Sequence, residues 1–288
     1  MQGASGFAIV AIMTGLVVRN LLDTQTVGIR DVVCNGLCRH KSPEECSTAV
    51  HLVFPYRGVF VRHLGRNDAV AEANQVVFFN PSEGYRISHP VKGGDACLSL
   101  AVREDLLHEL APQTHLQDRD AVAFRRQRLR VDPRAQVLVA LLRHSLSTQA
   151  VETLEAETLA LTLVRRALGE RTSHATKASY SRQKLVDRAK LILSSELSRR
   201  WTLAEIAAEV GVSPVYLTQV FAQTEGVPLY RYQLRLRLAR ALDLLGTYED
   251  LAALGMELGF SSHSHFSAAF RQAYGRTPAE FRRSVHPG

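Results

Sequence analysis

Four cysteines and several histidines in the first hundred residues are the side chains whose types suggest chemistry. Cys34-x3-Cys38-Arg-His40, with Cys46, His51, His89 and Cys97 elsewhere, offers thiolate and imidazole donors for a metal ion. The same thiols offer a redox-sensing pair, and direct contact with an organic effector is a third reading. A fourth is that a cysteine such as Cys97, in an apolar strand, is a small buried hydrophobe. The spacing is not the C-x2-C of zinc ribbons and has no tandem copy, so Cys34, Cys38 and His40 stand as a weak metal set. No compact nucleophile motif surrounds any of the four thiols, which argues against thiol enzymes such as a DNA repair methyltransferase. No catalytic residue is expected, and no cofactor beyond that metal ion.

A second set of residues points to DNA. In Leu203-Ala-Glu-Ile-Ala-Ala-Glu-Val-Gly-Val-Ser-Pro-Val-Tyr-Leu-Thr-Gln-Val-Phe221, Gly211 ends one helix and permits a tight turn. Ser213 caps the next helix, small Ala207 lets the two cross closely, and Ile206, Val210, Leu217 and Val220 fill the angle between them. These are the requirements of a helix-turn-helix, whose second helix can enter the major groove. The pattern recurs 48 residues later, with Gly259 at the turn, Ser261 at the cap, and Phe266 and Phe270 on the buried face. Between the units, Pro228 to Leu245 reads as an amphipathic helix with Leu234, Leu238, Ala241 and Leu245 inward. Its length, about 27 Å at 1.5 Å per residue, suits two reading helices roughly one turn of DNA apart.

Outward positions of the first reading helix are Pro214, Val215, Thr218, Gln219 and Gln223, and of the second Ser262, His263, Ser267 and Arg271. Thr218, Gln219, His263 and Ser267 are the expected base-edge contacts. Arg271, Arg276, Arg282 and Arg283 are the expected phosphate contacts. For each of them a solvated helix face is the plain alternative.

The elements that must carry these residues divide the chain. Residues 28 to 102 read as short strands rich in β-branched and aromatic residues, punctuated by Pro55, Gly65-Arg-Asn67, Asn80-Pro-Ser-Glu-Gly84 and Gly93-Gly-Asp95. Pro133 to Ser147 and Val151 to Leu168 carry helical spacing, and Leu138, Leu141, Leu142, Leu161 and Val164 form stripes suited to a dimer seam or to packing on the strands. Residues 171–181 are polar and aperiodic, a linker between a first domain at 1–170 and a helical domain at 182–288. Thr202-Leu-Ala-Glu205 and Thr277-Pro-Ala-Glu280 read as capping boxes.

The 288 residues carry a net charge of +7, and the excess sits at the C-terminal end: from Lys177 onward, 15 Lys+Arg face 10 Asp+Glu. That favours an acidic partner for the helical domain. The apolar run Phe7 to Val18 lacks a basic flank and is too short to span a bilayer, so a soluble, cytoplasmic protein without membrane contact is expected.

Residues 182 to 284 resemble the DNA-binding domain of the AraC/XylS family of transcription regulators. The matching text is Arg237-Leu238, Ala241, Leu244-Leu245, Gly259-Phe260-Ser261, Ser264-His265-Phe266, Phe270, Gly275, Thr277-Pro278 and Phe281-Arg282. The resemblance implies two helix-turn-helix subdomains joined by one helix and sequence-specific binding to double-stranded promoter DNA, as an activator with RNA polymerase as a further partner. Val76 to Pro90 resembles, more loosely, the cupin-like N-terminal domain of the same family. That implies an α+β chain with a cupin-like β-barrel and helical extension, which senses a small-molecule effector, forms a homodimer, or both. The metal-ligand pattern of enzymatic cupins is absent there, so no enzyme is expected. The chain departs from the family at Gln219 and Ala268, where Arg is common in the reading helices, and at Gly255, where Ala is usual. Glycine there weakens its helix by about 1 kcal/mol, so specificity is expected to lean on the first unit. A DNA-bending protein without an effector is the structural alternative, and the 170-residue first domain argues against it.

Overall fold

The computed structural model describes residues 15–117 and 121–285. Most of the apolar run that opens the chain, Phe7 to Thr14, lies outside them. Eight strands come first: β1 (Leu16–Asp23), β2 (Val27–Cys34), β3 (His51–Gly58), β4 (Phe60–Leu64), β5 (Asn67–Ala71), β6 (Gln75–Phe79), β7 (Arg86–Ser88) and β8 (Asp95–Val102). Helix α1 (Glu104–Leu110) and β9 (Arg128–Arg130) follow, then α2 (Pro133–Ser147) and α3 (Thr153–Leu168). Seven helices complete the chain: α4 (Tyr180–Ser195), α5 (Leu203–Val210), α6 (Pro214–Glu225), α7 (Leu229–Leu244), α8 (Leu251–Glu257), α9 (His263–Tyr274) and α10 (Pro278–Val285).

The strands form two antiparallel sheets, one in the order β1-β2-β8-β3-β6-β9 and one in the order β5-β4-β7. Neither sheet closes on itself among the described residues, so the cupin-like β-barrel implied by the family resemblance is not what these ladders build. The strands' composition explains the burial. β6 and β8 are apolar nearly throughout and buried at every position, as strands covered on both faces must be.

The large sheet is covered by α2 and α3. Leu142, Val164, Ala160 and Leu168 are fully buried in the same cluster as Ile29, Leu52, Phe78 and Leu100, with Leu138 and Leu161 packed against it. The stripes expected to serve as a dimer seam are thus covered within one chain. Leu141 faces the other way, into the core of α7–α10.

The helical domain is joined to the strands by a buried polar network. Lys190 on α4, fully buried, contacts the Glu225 carboxylate at 2.6 Å, where α6 ends. Arg128 on β9 bonds Asp187 on α4 at 2.6 Å and the Val70 carbonyl at 2.8 Å. Arg130 Nε donates to the Glu225 carbonyl at 2.6 Å. Tyr232 on α7 donates its hydroxyl to Glu72, whose other oxygen accepts from the Asn74 amide at 2.8 Å. Burial pushes the Glu225 carboxyl up, but Lys190 and Arg128 beside it outweigh that and hold it below its ordinary value. Glu72 has less cationic support, and burial leaves its carboxyl raised. A second bridge lies at α2, where Arg143 pairs with Asp243 at 2.8 Å and stacks 3.9 Å over the Tyr56 ring.

The polar segment between α3 and α4 is tied to both sides. His174 exchanges backbone bonds with Arg130, and its Nε2 lies 3.0 Å from the Thr224 carbonyl.

Removing one partner of a buried ion pair leaves a charge without compensation, at about 3–5 kcal/mol. Lys190→Ala is therefore expected to lower the unfolding free energy by that amount in urea titration, far beyond a typical surface Lys→Ala change.

Candidate nucleic-acid interface and N-terminal cleft

The first helix-turn-helix forms from the residues its pattern predicts. Thr202 and Glu205 make a reciprocal capping box at the start of α5, and the two bonds from Thr202 pull the Glu205 carboxyl down to about 2. Gly211 ends α5 in the left-handed region, at φ 76°, a conformation that costs glycine least. Ser213 then accepts from the Tyr216 amide and starts α6, with Pro214 in its first turn. Ile206, Ala207, Val210, Leu217 and Val220 are all buried in one cluster with Phe221 and Tyr232. The opposite face of α6 is open: Pro214, Val215, Thr218, Gln219 and Gln223 are exposed.

The second unit repeats this with one difference at the turn. The cap of α9 is Ser262, which accepts from the His265 amide at 3.1 Å, and not Ser261 as the spacing suggested. Ser261 instead faces His265 Nδ1 at 3.0 Å. Helix α8 ends at Glu257 and Gly259 takes the left-handed turn at φ 82°. The chain therefore runs one residue further before α9 begins, and sequence spacing alone cannot choose between two adjacent serines. Phe266 and Phe270 are fully buried with Phe260 and Phe281.

Gly255 has a packing reason. A β-carbon there would sit 3.1 Å from Phe266 Cβ and 3.2 Å from its ring. The residue that weakens α8 by propensity thus lets α9 approach it closely.

The expected DNA contacts occupy distinct settings. Gln219, His263 and Thr218 are exposed and Ser267 is half-buried. Thr218 Oγ1 donates back to the Pro214 carbonyl at 2.9 Å, and Ser267 Oγ lies 3.3 Å from His263 Nε2. Arg271, Arg276 and Arg283 are exposed. Arg282 is half-buried and its Nη1 donates at 2.9 Å to both the Tyr248 and Glu249 carbonyls. It staples α10 to the turn before α8, which leaves the other three arginines better placed for phosphate. Ala268, exposed, offers only a methyl group.

In the strand domain a cleft encloses about 750 Å³ of space not filled by atoms, part of it open to solvent. Val53, Phe60, Phe79, Tyr85 and Ile87 line its apolar side, and His51, Ser99, Cys34, His89, Asp95 and Cys97 its polar side. Cys34 belongs to a buried group with His89 and Asp95, whose donor atoms lie within 4.8 Å of one another. Cys38 and His40 are not part of that group; His40 is exposed and Cys38 half-buried on the loop after β2. The strand register Cys34↔Asp95 makes the juxtaposition, over a separation of 61 residues that no local spacing reveals. Gly94 makes it sterically feasible: at φ +67°, a β-carbon there would lie 2.0 Å from the Cys34 carbonyl oxygen. His89 Nε2 lies 2.5 Å from Asp95 Oδ1. Burial pushes the imidazole down, but the bond to Asp95 and the nearby Cys34 outweigh it and raise His89 to about 9. Burial alone dominates at His51, down to about 4. Cys97 is pushed well up by burial, which disfavours the thiolate a redox sensor needs.

Residues 206–284 match the helix-turn-helix domain family. The HTH-type transcriptional regulator ArgR from Pseudomonas aeruginosa is 37% identical over 101 residues, covering 35% of this chain and 31% of that protein. The C-terminal helical part of the chain is thus similar to the DNA-binding domain of AraC/XylS-family regulators. A probable transcriptional regulator from Photobacterium leiognathi, LumQ, is 25% identical over 236 residues, 79% of this chain and 89% of that protein. The solved structure of a transcriptional regulator with an AraC-type DNA-binding domain from Chromobacterium violaceum is 32% identical and covers 38% of this chain and 100% of that one, with a TM-score of 0.35. The chain spans less than half the length of the first curated relatives it matches.

Three substitutions test the local structure of this AraC-type domain. Ser262→Ala should cost about 1 kcal/mol of unfolding free energy as a lost N-cap, and Ser261→Ala distinctly less, both read by urea titration. In the same assay Gly255→Ala should fail to deliver the ~1 kcal/mol that helix propensity alone would add, because the methyl group crowds Phe266.

Proposed function

We propose that this chain regulates transcription by binding promoter DNA through α6 and α9, in response to a small molecule sensed in the cleft of its N-terminal domain. The observation that carries the DNA-binding part is the pair of capped reading helices, each anchored by a fully buried apolar face and each leaving its outward face exposed. The basic excess of the C-terminal part supplies the charge that attracts a phosphate backbone.

The regulatory part is supported by how the cleft connects to α6. His51 and Phe79, both lining the cleft, face each other across β3 and β6. β6 in turn pairs with β9 through Gln75↔Arg130 and Val77↔Arg128. Those two arginines hold Asp187 and the last residue of α6. A ligand that shifts β6 would bias the position of the first reading helix. This is spatial continuity, and its warrant is a measured coupling between effector and DNA.

We expect Gln219 to read bases, since its amide can pair with adenine N6/N7, with Thr218, His263 and Ser267 beside it. Arg271, Arg276 and Arg283 are the phosphate contacts on this reading. RNA polymerase is the further partner of an activator of this kind. A homodimer would need a seam other than α2 and α3, whose stripes are covered within the chain.

Selection of bound sequences from a random DNA pool, followed by affinity measurement at several salt concentrations, tests the assignment. Gln219→Ala should lose about 1–3 kcal/mol at particular base pairs and relax selection there. Arg276→Ala should weaken all sequences alike and lower the salt slope by about 1. Uniform weakening by Gln219→Ala would assign that residue to the backbone, and absence of any selected sequence would overturn the regulator reading.

A further inference from the structure

The polar side of the cleft carries more than its surroundings need. Cys34, His89 and Asp95 are each buried, at 5%, 2% and 6% exposure. They bring one sulfur, one imidazole nitrogen and one carboxylate oxygen within 4.8 Å of one another. Buried polar atoms are normally satisfied. Yet His89 Nδ1 has no hydrogen-bond partner among the described residues, nor have His51 Nε2 and Glu45 Oε1 in the same cleft.

We propose that Cys34, His89 and Asp95 bind a divalent metal ion of the zinc class, with the fourth position open toward the cleft. The donor set selects the class. A thiolate and an imidazole suit zinc and its late-transition neighbours and disfavour magnesium and calcium, which take oxygen. The spacing fits as well. Bonds of about 2.0–2.3 Å in tetrahedral geometry put ligand atoms roughly 3.3–3.8 Å apart. The His89–Asp95 contact of 2.5 Å needs to open by less than 1.5 Å to reach that range, and the 4.8 Å limit of the group to contract by about 1 Å.

The supporting shell is in place. Cys97 Sγ lies 3.0 Å from Asp95 Oδ2, so that oxygen is held and Oδ1 is the one left for the ion, an outer contact of the kind that orients metal ligands. Cys34 and Asp95 sit on directly paired strands, which fixes their separation by the sheet and not by a loop. Three protein ligands and an open fourth place describe a site that can take a further ligand. His51 Nε2 and Glu45 Oε1 line the same cleft, where they can meet the polar group of a molecule bound to the ion.

The test uses the full chain, stripped with a chelator and titrated with cobalt(II). One cobalt per chain is expected, with thiolate-to-cobalt charge-transfer absorption in the near ultraviolet and the intense visible bands of a tetrahedral ion. Cys34→Ser and His89→Gln should each abolish the charge-transfer band or weaken cobalt binding at least tenfold. Cys38→Ser and Cys46→Ser should leave both unchanged. Asp95→Asn, which keeps the side chain's shape, should weaken binding at least tenfold, and an unfolding midpoint for each variant shows that it is folded. The proposal is overturned by a wild-type chain without the band, by a folded Cys34→Ser that retains it, or by its loss in Cys38→Ser. Cobalt uptake is read without DNA, so its failure leaves the DNA-binding reading standing, and a chain that binds no DNA can still show the metal site.

Discussion

The buried pair of Lys190 and Glu225 is the contact on which the arrangement of this molecule depends. Lys190 sits on α4, Glu225 closes the first reading helix, and both are out of reach of water. A charge in such a place is tolerated only when paired and hydrogen-bonded, and the partners come from the other domain: Arg128 through Asp187, Arg130 at the Glu225 carbonyl, Glu72 through Tyr232. The network is therefore also the joint. It orients α6 relative to the sheet more strictly than an apolar patch would, because each hydrogen bond has a direction and an apolar contact has little.

That joint ties the strand domain directly to the end of α6. The cleft and the joint share one strand, β6, which lines the cleft with Phe79 and pairs with β9 near its other end. The cleft itself depends on close backbone approach at Gly94 and on the pairing of β2 with β8, which sets a thiol beside a carboxylate. A site built on strands is held more rigidly than one on loops, and here the cleft and the joint lie on adjacent strands of one sheet.

Much of the helical domain was legible in the residues. Local rules decide it: a capping box at Thr202, a left-handed glycine at Gly211, Pro214 after a serine cap, apolar residues at helical spacing. Where two local solutions compete, the text was ambiguous. Ser261 and Ser262 are both competent caps, and the turn after Gly259 runs one residue longer so that the second takes the role. Gly255 looked like a weakness and is a contact, since its effect is set by Phe266 eleven residues away. Arg282 reads as a phosphate contact in the sequence, and two carbonyls from a turn more than thirty residues earlier hold it.

The sequence by itself determined the class of the C-terminal domain, the faces of its reading helices and the strand character of the first half. All of these follow from periodicity, caps and turns within a few residues. The tertiary structure alone decided the rest. It placed His89 and Asp95 beside Cys34 in place of Cys38 and His40, covered the α2 and α3 stripes with the sheet, left the ladders open where a barrel was expected, and joined the domains through Arg128 at Asp187, Arg130 at Glu225 and Glu72 at Tyr232. Each of these depends on sheet register or on contacts between residues far apart in the chain. A one-residue change of register would move every such side chain to the opposite face, and nothing in the local text specifies that choice.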